Sequence, residues 1–108
     1  MVWISLLRCG FGGAFLANSV PHLVAGMMGR PFQSPFARPP GEGLSSSTVN
    51  VLWGALNLVL GYALLARLGR FDAGDTRQLM AAGLGALAIA LFSARHFGRF
   101  NGGNAPDA

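Results

Sequence analysis

The chain has 108 residues, room for a single domain, and its net charge is +4. Charged residues make up 11% against 52% hydrophobic, too few to cover the surface of a small soluble domain, where about 25% is usual. The charge comes from eight arginines and no lysine, standing singly or in pairs at the edges of apolar runs as in membrane proteins. A nucleic-acid binder would gather them on one face, so no nucleic-acid partner is expected.

Three stretches approach the roughly 20 apolar residues that cross a bilayer core of about 30 Å: residues 2–28, 47–68 and 76–97. In lipid every backbone group must be satisfied within its own segment, so all three are expected to be helices. The predicted fold is an all-α, three-span transmembrane bundle filling residues 1–100, with a disordered tail over 101–108. The lipid bilayer is then its first partner.

Span 1 carries no charge from Cys9 to Gly29 but includes Asn18, Pro21 and His22. Pro21 has no N–H and leaves the carbonyl of Ala17 without its helical partner. Ala14, Asn18, His22, Ala25 and Gly29 fall on one stripe. Arg8 follows apolar residues and no convincing small-x-small cleavage site precedes a polar mature chain, so the segment is read as retained rather than as a signal peptide. Cys9 is the sole cysteine, which rules out an internal disulfide or a cysteine cluster.

The loop over 30–46 has prolines at 31, 35, 39 and 40, which forbid a regular helix, and two apolar rings, Phe32 and Phe36. It is read as lying on the bilayer interface, with a lid folded over the end of the bundle as the alternative. Span 2 has N-cap candidates from Ser45 to Thr48 and a stripe of Asn50, Gly54, Asn57 and Gly61. Gly69 marks its end. Span 3, capped by Asp75 or Thr76, places Ala82, Ala86, Ala90, Ser93 and His96 within an arc of about 120°. Small and polar residues favour helix contacts in lipid, so the three stripes are expected to meet.

The words "NSVPHLVAGMMGRPFQSPFARPPGEGLSS" and "NVLWGALNLVLGY" resemble a group of small bacterial integral membrane proteins over about residues 10–65. The resemblance implies that spans 1 and 2 and their loop form one unit, and it assigns no functional residue. All-arginine, Ala- and Gly-rich usage likewise suggests a GC-rich bacterial genome, hence a multi-pass protein of the bacterial inner membrane. Orientation is undetermined. Arg8, Arg67, Arg70 and Arg77 lie on one side and Arg30, Arg38, Arg95 and Arg99 on the other, and the positive-inside rule needs an imbalance.

At 1.5 Å per residue His22 lies about 10 Å inside span 1, with Asn18 one turn deeper. Asn57 falls near that deeper level, Asn50 nearer the surface and His96 at the rim. Asn18, His22, Asn50, Asn57 and His96, with Arg38 on the same side, are therefore the candidate ligand-binding residues. Three readings follow. The first is a structural or interaction subunit whose polar groups set helix register, forming a homo-oligomer through Ala82, Ala86, Ala90 and Ala94 or joining a larger membrane protein. The second is a small-solute, anion or proton site around His22. The third is haem or metal ligation by His22 and His96, although no ligand motif accompanies them and the leading reading has no cofactor or metal. No HExxH, GxSxG, Walker loop or carboxylate pair is present, so an enzyme is not expected. Glu42, Asp72, Asp75 and Asp107 all lie outside the spans, unlike the embedded glutamate of small multidrug-resistance exchangers.

Overall fold

A computed structural model describes residues 2–68 and 70–106. Helix α1 (Val2–Met27) leads into a short antiparallel ribbon, β1 (Phe32–Gln33) and β2 (Leu44–Ser45). Helix α2 (Ser47–Tyr62) runs on through a π-helical stretch, Ala63–Leu68, and α3 (Thr76–Asn101) completes the chain. Gly69, read from the sequence as the end of span 2, lies outside the described residues.

The helix ends have the chemistry their sequences offer. Ser46 Oγ accepts from the Val49 amide at 3.1 Å and Asp75 Oδ1 from the Arg77 amide at 3.0 Å, so each satisfies an orphan donor. α1 closes on Gly29 at φ +73°, with Gly29 N–H bonded to Gly26 O and Arg30 N–H to Ala25 O. That double bond is a Schellman cap, and it turns Arg30 back beside the helix. Arg8 Nη1 donates to Leu68 O at 3.0 Å, placing a cation at the carbonyl end of the π-helical stretch.

α3 continues past the expected span limit near residue 97 and ends at Asn101, where the Asn101-Gly102-Gly103 sequence offers a stop, with Gly102 capping it at φ +72°. Gly103 N–H bonds to Gly98 O at 3.0 Å and Asn104 Nδ2 to Ala94 O at 3.3 Å. The first residues of the expected disordered tail thus fold back on the helix end, because the two glycines permit the reversal. Asp107 and Ala108 lie outside the described residues.

α1 is the middle element, packed along its length against α2 on one side and α3 on the other. Both interfaces depend on glycine. A Cβ on Gly61 would lie 2.9 Å from Gly12 O, and one on Gly54 would lie 2.7 Å from Leu23 Cγ. On the other side a Cβ on Gly13 would run into the backbone of Ala82, and one on Gly85 into that of Gly10. Such close backbone approach is how helices associate where side-chain burial offers little.

The α2 stripe is as read: Asn50, Gly54, Asn57 and Gly61 are its buried residues. The meeting of three stripes needs correction. α2 and α3 make no interface comparable to either one's contact with α1, and α3 has no buried residue among those described. Its Ala82 is spent on Gly13 within the chain. One helix with two glycine faces keeps its neighbours apart.

Burial is inverted relative to a water-soluble domain. The largest fully buried side chains are His22, Asn50, Asn57, Cys9, Ser19 and Ser34, whereas Trp3, Leu52, Leu84 and Phe92 are exposed by 60% or more. Two helical stretches, Ser47–Leu68 and Thr76–Asn101, are long and apolar enough to cross a membrane. α1 matches α3 in length, and Arg8, Asn18, Pro21 and His22 interrupt its apolar run.

Candidate functional site

His22 is 2% exposed and lies between α1, α2 and the ribbon. Its Nδ1 is 2.8 Å from Asn50 Oδ1. The Asn50 amide nitrogen in turn faces three carbonyls, Phe32 O at 3.2 Å, Ser45 O at 3.2 Å and Ser46 O at 3.1 Å. Carbonyls only accept, so the NH₂ must face them and Oδ1 must face His22; Nδ1 therefore carries the proton and donates. In the neutral ring this leaves an acceptor lone pair on Nε2, which has no hydrogen-bond partner among the described residues.

Three aromatic rings meet this imidazole in T-shaped contacts, Phe32 at 5.6 Å, Phe97 at 5.9 Å and Trp53 at 6.3 Å between centroids. They come from the ribbon, α3 and α2, so every element around α1 contributes. Trp53 also holds Phe36 at 5.1 Å, and its Nε1–H is buried without a hydrogen-bond partner among the described residues. Phe32 and Phe36, the two rings singled out in the Pro-rich stretch, thus pack on the bundle.

A turn deeper, Asn18 Nδ2 donates to Asn57 Oδ1 at 3.0 Å, and Asn57 Nδ2 donates to Trp53 O at 2.8 Å. Helical rise puts Asn57 near the level of Asn18 and Asn50 nearer the surface; in the structure Asn57 meets Asn18, and Asn50 meets His22. The other two candidates do not join it. His96 Nε2 donates to Gly41 O at 2.6 Å and its Nδ1 accepts from Arg99 Nη2 at 3.1 Å. The Phe97 ring packs on both histidines, at 5.9 Å from His22 and 5.2 Å from His96. Arg38 is exposed at the loop tip. The expected single cluster is therefore two pairs on the α1–α2 seam, His22–Asn50 buried and Asn18–Asn57 part-buried, and a separate histidine bonded to the loop backbone.

Several residues that shape the site carry no signal in the sequence. Ser34 is fully buried and bonds to Ser45 Oγ at 2.5 Å across the ribbon. Gln33 accepts from Asn101 Nδ2 at 3.4 Å, tying the loop to the end of α3. On the opposite side of the bundle Gln78 Oε1 accepts from the Asp72 amide at 2.8 Å, with Cys9 Sγ at 3.9 Å.

Chemically the arrangement offers hydrogen bonding and one free imidazole nitrogen. Among the described residues no carboxylate is hydrogen-bonded to His22, and no group of three His, Cys, Asp or Glu side chains is placed to hold a metal ion. Comparison with protein-family models, with curated proteins and with solved structures found no match.

Proposed function

We propose that the chain is a small integral membrane protein with three transmembrane helices that acts as a structural or interaction subunit. Its buried polar network is then a scaffold that docks the loop on the helices. The observation that carries this reading is the closure of the His22–Asn50 pair: one side chain reaches α1, three backbone carbonyls and the start of α2 at once. The inverted burial supports the membrane environment, since exposed leucines and phenylalanines suit lipid. α1 crosses as the third span because its polar groups are already satisfied by neighbours. In this reading the ribbon and loop lie at the bilayer interface.

A second reading, a small-solute, anion or proton site, draws on two leftover groups in adjacent rings: the Nε2 acceptor of His22 and the Nε1–H donor of Trp53. Ligation by both histidines draws less support, because His96 has a hydrogen bond at each ring nitrogen.

A double-mutant cycle separates scaffold from site. His22→Phe and Asn50→Leu should each destabilise the detergent-solubilised protein by about 1–3 kcal/mol, since each strands a buried partner. The double variant should recover part of that loss, with membrane abundance following stability. Single variants that keep the wild-type melting temperature would remove the scaffold reading and leave the site.

A further inference from the structure

An apolar groove runs between α1 and α3, walled by Ala17, Val20 and Val24 on one side and Ala90, Ala94 and Phe97 on the other, with a volume of about 570 Å³. Towards the loop it opens into a second hollow that shares Pro21, Val24, Phe32 and Asn101 with it and adds Arg30. The groove exists because α1 and α3 touch through Gly10, Gly13, Ala82 and Gly85 near one end. Beyond that contact α3 presents the small side chains of Ala90, Ser93 and Ala94 before Phe97, and they do not fill the space.

We propose that this groove binds one anionic phospholipid, its acyl chain along the alanine-lined wall and its phosphate on Arg30. This rests on the membrane reading above. Three observations select the occupant. Along α3 the groove lining runs from Ala90 to Asn101, roughly 16 Å at 1.5 Å per residue, about half of a hydrocarbon core of roughly 30 Å and thus the depth of one leaflet. Its polar end carries a cation without an acid: the one ion pair among the described residues joins Arg77 to Asp75. The Schellman turn at Gly29 sets Arg30 beside the groove mouth, where Asn101 adds an amide. A helix from a second copy would fill the apolar wall but bring no anion to Arg30.

The test uses the full chain, released from membranes in detergent and examined by native mass spectrometry with added phosphatidylglycerol or phosphatidylcholine. Recovery of the chain in the soluble fraction without detergent defeats the membrane reading itself and is seen before any lipid is added. Given a membrane protein, wild type should retain one phosphatidylglycerol in preference to phosphatidylcholine. Ala94→Phe, which blocks the groove, should lose both, and Ala90→Leu replaces it if that variant does not fold. Arg30→Gln should keep a lipid but lose about fivefold of the headgroup preference, the order expected of one basic residue at an anionic surface. No retained lipid in wild type, unchanged retention in the blocked variant, unchanged preference in Arg30→Gln, or efficient cross-linking of Ala94→Cys between copies would each overturn the proposal.

Discussion

Ser34 shows what one hydroxyl does in this molecule. It is fully buried between Gln33 and Pro35, accepts from the Phe36 amide at 3.1 Å and meets Ser45 Oγ across the ribbon. Its backbone carbonyl also receives the Gly41 amide at 2.8 Å, so the loop is organised around this residue. Ser34→Ala should cost about 1–2 kcal/mol locally, because it strands Ser45 Oγ and the Phe36 amide. Amide hydrogen exchange over residues 35–45 should accelerate about tenfold per 1.4 kcal/mol while the helices keep their protection; unchanged exchange there would refute the role. Asn50 and Asn57 were legible because helical period puts them on one stripe with Gly54 and Gly61. Ser34 was not, since a loop has no period and a serine beside a proline is ordinarily a solvated turn residue. The partner of His96 was hidden for a related reason: it is a backbone carbonyl, which every residue carries.

The helices themselves were readable, together with the caps at Ser46 and Asp75, because length, hydropathy and capping chemistry are local properties. What a given glycine faces is not local. Gly83 and Gly85 lie two positions apart in "AAGLGALA", yet a Cβ on Gly85 would strike the Gly10 carbonyl while one on Gly83 would meet nothing within 4 Å. Gly83→Ala should therefore raise helix stability by about 0.5–1 kcal/mol. Gly85→Ala should lower it by about 1–3 kcal/mol, since no rotamer change relieves a clash with backbone. Thermal unfolding in detergent reads both, and a shared sign would mean that α1 and α3 do not touch there. The π-helical stretch at Ala63–Leu68 was equally invisible, because nothing in "ALLARL" distinguishes it from an ordinary helix.

At the scale of the molecule, the proposed three-span arrangement would place the start of α1 and the α2–α3 connection on one side of the bilayer and the Pro-rich loop on the other. With Cys9 replaced by Ala, a membrane-impermeant thiol reagent should label Val2→Cys and Ala73→Cys from the same side, and Pro40→Cys only from the opposite one. Labelling of Val2→Cys and Pro40→Cys from a common side would show that α1 does not cross. The central position of α1 bears on how such a protein is made. This helix is synthesised before α2, and among the described residues the side chains of its Asn18 and His22 find their partners in Asn57 and Asn50 of α2, which does not yet exist. A nascent α1 therefore has little reason to leave the aqueous insertion channel alone. The same Val2→Cys label, placed on a chain ending at Ser46, should report a helix still waiting; integration becomes a pairwise event whose commitment point is the synthesis of the second helix, and translation speed across the Pro-rich stretch sets the length of the wait.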